Sequence, residues 1–208
     1  MMTNVEIELK NEDEVYDFEL FFLNNIYDSL QEISDDLDCL IDSYDEFEQE
    51  IYGDFRTVII NLAIAFELIV KLRLENEHWS LIFEDINKAK GSKLENGDFI
   101  SIDIESGVLR LKNICELNYD FKNLRKICNF RNCLIHFTLR RVNIIEVINT
   151  ISNGILELKQ FFENEIYECL PEEAKKDFKS VLESLKNHCE GLNVLSMKII
   201  KKGSVENE

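Results

Sequence analysis

The chain carries one proline, Pro171, and seven glycines in 208 residues. Few interruptions of a helical run are therefore encoded, because proline removes a backbone donor and glycine weakens a helix by about 1 kcal/mol. Long helices follow if the apolar residues recur at helical spacing. Between residues 14 and 42, Val15, Phe18, Phe22, Ile26, Leu30, Ile33, Leu37 and Leu40 recur at steps of three and four. That spacing predicts an amphipathic helix with acidic residues on its other face. A second helix is predicted over 51–77. Its middle, "TVIINLAIAFELIV", is apolar nearly all round, which suits the buried centre of a bundle. The run falls short of the ~18 to 20 residues a membrane span needs, and it contains Asn61 and Glu67.

Helices are again expected over 119–139, 142–168 and 171–189. Pro171 followed by "EEAKK" reads as a helix start, with proline in the first turn and acids beside it. Residues 91–118 break the pattern. There "FISIDIESGVLRLKNI" alternates and "GSKLENGD" precedes it, so a short hairpin or irregular excursion is predicted, although "VLRLKNIC" can equally open a helix. The expected fold class is all-α, a helical bundle forming a single domain over 1–208, with frayed ends at about 1–10 and 203–208.

Charge narrows the function. The chain has 41 acidic and 23 basic residues, a net charge of −18. Phosphate is repelled over most of such a surface, so a nucleic-acid site has to be a local basic patch. The six cysteines include no Cys-x-x-Cys pair, and the chain opens "MMTNVEIELKNEDE" without an apolar leader. Reduced, mostly packed thiols in a cytoplasmic protein are expected. His188–Cys189 alone is too little for zinc, so neither metal nor cofactor is expected.

One basic island exists. Between Asp120 and Glu146 there is no acid, and the interval holds Lys122, Arg125, Lys126, Arg131, Arg140 and Arg141. On a helix at ~100° per residue, Leu124, Ile127, Cys128, Leu134, Ile135 and Thr138 share one face. Lys122, Arg125, Lys126, Asn129, Asn132, His136 and Arg140 share the other. Arg131 falls in the middle of the apolar face. A guanidinium there is costly unless it is paired or faces a cleft. Two readings fit. One is a structural ion pair with Glu67, the acid inside the apolar middle of the second helix. The other is an arginine held in a groove and aimed at phosphate. Glu67 and Lys71, four apart, can also form a surface-type pair. His136 lies on the polar face and has the side chain best suited to general acid–base work near neutrality, with an ordinary pKa of ~6.5.

"FRNCLIHF", residues 130–137, resembles the signature of the HEPN superfamily: Arg, a polar residue often Asn, then His after four to six intervening residues. "AFELIVKLRLENEHWSLIFEDINKAK", residues 65–90, is similar to a helix and turn of bacterial HEPN-like proteins. "DFISIDIESGVLRLKNIC", residues 98–115, is similar to the segment joining those two blocks. The resemblance covers roughly residues 51–140. It implies a HEPN-like helical bundle, a homodimer in which the Arg-His helices of two protomers meet, and a metal-independent RNA endonuclease of a toxin–antitoxin, antiphage or stress system. Carried over, Arg131, Asn132 and His136 are the catalytic set. Lys122, Arg125, Lys126, Asn129, Arg140 and Arg141 would bind RNA beside it, and a neutralising protein partner is conceivable in such systems. No membrane partner is implied. Some members are non-catalytic and bind RNA, nucleotide or protein. A toxin subgroup carries Tyr two residues after the His; Thr138 stands there here, so silencing by modification of that Tyr is not expected. Arg131 and His136 point about 140° apart on an ideal helix. Convergence therefore needs either a symmetric partner or a distortion near Cys133.

Overall fold

The computed structural model describes residues 6–8, 15–43, 51–136 and 142–205, and side chains over 22–42, 55–136 and 142–201. The three-and-four spacing is realised in the helices α1 (Phe18–Ser43), α2 (Ile51–Glu77), α3 (Gly91–Glu95), α4 (Ile104–Asn113), α5 (Lys122–His136), α6 (Ile144–Glu165) and α7 (Glu172–Val205). Among the described residues the fold is all-α apart from two three-residue strands, β1 (Glu6–Glu8) and β2 (Val15–Asp17). These pair antiparallel with Ile7 opposite Tyr16. No described helix is long and apolar enough to cross a membrane.

Three expectations change. Residues 6–8 are not frayed, because their backbone groups find partners in β2, and α1 accordingly begins at Phe18 rather than 14. The hairpin expected near 99–114 is reduced to one bridge, Phe83 with Ser101; residues 104–113 are the helix α4 instead. Its start is set by Asp103, whose carboxylate accepts from the Ser106 N–H at 2.9 Å. Lastly, α7 continues well past 189, to Val205.

Packing divides the chain into two compact units, residues 1–27 with 67–119 and residues 28–66 with 120–208. In the first, Ile69, Val70 and Leu74 of α2 are buried with Leu81, Phe83, Ile102 and Leu111. Arg110 of α4 donates to the carbonyls of Leu81, Phe83 and Glu84 at 2.5 to 2.8 Å. It thereby satisfies backbone acceptors in a segment that has neither a long helix nor a sheet to do so. Glu67 accepts from Lys71 at 2.7 Å, the pair their four-residue spacing allows.

The second unit is a helical bundle around α6, which packs against both α5 and α7. Ile148, Ile151, Ile155, Leu158, Phe161 and Phe162 of α6 are buried, as are Phe178, Leu182, Leu185 and Leu192 of α7 and Leu30, Ile33 and Leu37 of α1. Each such side chain contributes about 1.5–3 kcal/mol on leaving water. Two polar sets sit in this core. Lys159 lies between Glu163 and Glu183, with Glu183 at 2.9 Å. Burial opposes its charge, but hydrogen bonds to the two glutamates win and hold its pKa above the usual lysine value. His188 Nε2 lies 3.0 Å from Ser34 Oγ and 3.2 Å from Ser184 Oγ, tying α7 to α1. The neighbouring Cys189 is buried and directs its thiol to the Ser152 and Leu185 carbonyls. His188 and Cys189 are thus both engaged in packing.

Candidate active site

The helix that carries the candidate residues, α5, is anchored at its start. Phe121 precedes it with a left-handed backbone, φ 49°, a conformation a bulky residue holds only when packing enforces it. Its buried ring meets Phe66 at 5.0 Å and Phe161 edge-on at 4.9 Å between centroids. The first turn of α5 then presents N–H groups with no intrahelical acceptor. Glu157 of α6 takes them. Its carboxylate accepts from Asn123 N at 3.0 Å, Leu124 N at 3.1 Å and Asn123 Nδ2 at 2.7 Å. Negative charge at this end also meets the positive pole of the helix dipole.

Leu124, Ile127, Cys128 and Phe130 are the buried residues of α5. Gly154 of α6 faces this side of α5, and a Cβ built there would sit in ordinary contact with Ile127, Leu124 and Leu62 at 3.6 Å. After Phe130 the packing stops. Asn132, Cys133, Ile135 and His136 are exposed, and Arg131 and Leu134 are half-buried. The apolar face expected to run through Leu134 and Ile135 is therefore covered only in its first half. Ile135 is left 55% exposed.

Arg131 leaves the covered section of α5 with its Nε fully buried and without a hydrogen bond, while the residue is held by other interactions. Asn132 and His136 stand one turn apart on the exposed face, as expected. Neither has a hydrogen-bonding or charged partner among the described residues. The helix is continuous from Lys122 to His136. The distortion near Cys133 that could bring Arg131 and His136 together in one chain is absent, and the two diverge by about 140°.

Of the six expected RNA-binding residues, Lys122, Arg125 and Asn129 are exposed on that same face. Lys126 is half-buried, paired with Glu146 of α6, and sits 5.5 Å over the Phe130 ring. Arg140 and Arg141 lie outside the described residues, as does Thr138. The basic island is therefore less uniform in space than in sequence. Glu146 and Glu157 reach it from α6, 20 and 34 residues away along the chain, and no local pattern in α5 announces them. Between α5 and α6 runs an open cleft of about 420 Å³, lined by Lys122 and Lys126 on one side and by Asn149 and Asn153 on the other. Among the described residues, no group of three His, Cys, Asp or Glu side chains is placed to hold a metal ion.

Comparison of the chain with family models, curated proteins and solved structures gives no match.

Proposed function

We propose that this chain is a HEPN-like, metal-independent RNA endonuclease of a toxin or antiphage and stress system, acting as a homodimer through α5. One observation carries the reading. Arg131, Asn132 and His136 all fall in the six-residue end of α5 where burial stops, with Leu134 half-buried and Ile135 uncovered beside them. An exposed Ile next to a half-buried Arg suits a surface that a second copy covers. With α5 unbroken, the partner's copy is the simplest source of the missing half: Arg131 of one protomer faces His136 of the other.

In such a site the ribose 2′-oxygen bonds to the adjacent phosphorus as the P–O5′ bond breaks. The products are a 2′,3′-cyclic phosphate and a 5′-hydroxyl. His136 shuttles the 2′-hydroxyl proton to the departing oxygen. Arg131 stabilises the charge that builds on the phosphorus oxygens, and Asn132 orients one of them. These side chains supply charge stabilisation and proton transfer themselves, which is why no divalent ion is invoked. The test is incubation of purified protein with RNA in excess chelator, and cyclic-phosphate ends are the expected product. Cleavage lost on chelation and restored by magnesium overturns the mechanism.

A non-catalytic module that binds RNA, nucleotide or a protein is the second reading. The absence of any described partner to orient the His136 ring favours it. RNA binding without cleavage by the parent protein would select it.

A further inference from the structure

We infer that the α5–α6 cleft grips a backbone phosphate of the RNA strand, with Lys122 on one wall and Asn149 and Asn153 on the other. The inference rests on RNA being the ligand of α5, and it adds which part of the strand α6 holds and by what. Asn149 and Asn153 lie one turn apart on α6, and both are exposed in the cleft wall. Lys122 of α5 is exposed in the same cleft. None of these three side chains has a partner among the described residues. A lysine brings three N–H donors and a carboxamide two, against one carbonyl oxygen on each carboxamide. The uncommitted groups of the cleft are therefore mostly donors.

The other polar groups of the cleft are already engaged. Glu146 accepts from Lys126. Asn143 Oδ1 accepts from the Ile145 N–H at 2.9 Å, and the Thr150 hydroxyl donates to the Glu146 carbonyl at 2.6 Å. Asn123 Nδ2 donates to Glu157 at 2.7 Å. A surplus of donors suits a ligand group that only accepts. A phosphodiester is such a group, and hydrogen bonds to its charged oxygens are charge-assisted. Lys and Asn are both among the side chains that hold nucleic-acid phosphate. The edge of a base mixes donors with acceptors and would use this surplus less fully. Charge agrees with hydrogen bonding. Lys126 and Glu146 cancel, so Lys122 leaves the lining net positive in a chain whose net charge is −18.

Position along the strand follows from the helix. Lys122 and His136 are fourteen residues apart on α5, about 21 Å at 1.5 Å per residue. That distance spans roughly six stacked nucleotides at 3.4 Å each, and fewer if the strand is extended. The gripped phosphate is therefore a few nucleotides from the bond at His136. It tightens the hold on the strand without touching the reacting atoms. Every nucleotide carries the same phosphate, so the grip adds no sequence preference.

The experiment uses non-cleaving His136→Ala protein and two labelled ten-nucleotide strands, oligo(C) and oligo(U), with binding read by fluorescence anisotropy over a range of salt. Adding Asn149→Ala and Asn153→Ala should weaken both strands alike, by about tenfold, with the salt dependence unchanged because these donors are neutral. Lys122→Ala should weaken both strands and lower the slope of log K against log salt by about 0.7, the value for one phosphate contact on a single strand. Glu146→Gln removes the carboxylate and releases Lys126, so it should tighten both strands more than Glu190→Gln, the same charge change at an exposed site on α7. All these substitutions except Lys126's release act at exposed side chains, and circular dichroism checks the fold. The side-chain NH2 signals of Asn149 and Asn153 in NMR separate strand from free anion. Oligo(U) should shift them, and inorganic phosphate at the same concentration should not. Asn or Lys122 variants that bind like their parent, a loss confined to one of the two strands, no tightening by Glu146→Gln, or an equal shift with inorganic phosphate each overturns the inference and leaves the RNA reading standing. If neither strand binds, the RNA reading fails and the inference with it.

Discussion

The helix that carries Arg131 and His136 has its start fixed by a single carboxylate on another helix, so Glu157 is where the bundle can be probed most cleanly. Glu157→Ala leaves the N–H groups of Asn123 and Leu124 and the Asn123 carboxamide without that acceptor. Loss of a cap costs about 1 kcal/mol, and loss of negative charge at a helix N-terminus a further 0.3–1 kcal/mol. The extra side-chain bond to Asn123 brings the total to about 2 kcal/mol. In a protein of this size that lowers the melting temperature by roughly 4–8 °C. Glu157→Gln keeps an acceptor and loses the charge, and should fall near the midpoint between parent and Glu157→Ala. Urea denaturation followed by circular dichroism measures all three, at one fixed protein concentration because dimerisation raises apparent stability. Glu157→Ala within 0.5 kcal/mol of the parent, or Glu157→Gln as damaging as Glu157→Ala, would refute the carboxylate cap.

Gly154→Ala should stabilise the fold by about 0.5–1 kcal/mol, because the added methyl meets its neighbours at ordinary contact distance in mid-helix; a loss in denaturant midpoint contradicts the packing of α5 on α6. His136→Ala should abolish cleavage and shift stability by less than about 0.5 kcal/mol, as expected for an exposed side chain; full activity removes His136 from the site. Hydrogen bonding to Lys159 holds the Glu183 carboxyl below its ordinary value of 4.5. Its contribution is thus present above that pH and lost as pH falls through the lower folded value. The stability gap between parent and Glu183→Gln should be constant near neutrality and close under acid, and a gap that widens under acid would be contrary to this. Cys39, Cys133 and Cys169 are exposed, whereas Cys128 and Cys189 are buried and burial pushes the Cys189 thiol upward. A thiol reagent should therefore modify the first three fast in the monomer, and dimerisation through α5 should slow Cys133 alone.

The long helices were legible because their spacing has one reading. Over α2 and α6 the apolar residues leave no alternative to a buried helix, and α2 spans the expected 51–77. Residues 99–114 were harder, since alternation and helical spacing overlap there. The Asp103 cap, three residues before Ser106, was the signal that decides for α4. The exposed face of α5 was legible too, from charge alone. What could not be read is whatever depends on another helix. Glu157 and Glu146 lie in α6, and their bonds to α5 exist only once the two helices pack. The same holds for the abrupt end of burial after Phe130. Leu134 and Ile135 continue the apolar pattern, and only the position of neighbouring helices decides that nothing in the described chain covers Ile135.

The composite site is the central claim, and subunit mixing tests it most directly. Arg131→Ala and His136→Ala proteins, each inactive alone, are combined in equal amounts under conditions that allow exchange, and RNA cleavage is measured. If Arg131 of one chain works with His136 of the other, each mixed dimer has one intact and one doubly damaged site. With random exchange, half of the dimers are mixed, so activity should return to about a quarter of the parent's. If exchange is demonstrated and no activity returns while the parent protein cleaves, each chain carries its own complete pair and the composite site is wrong.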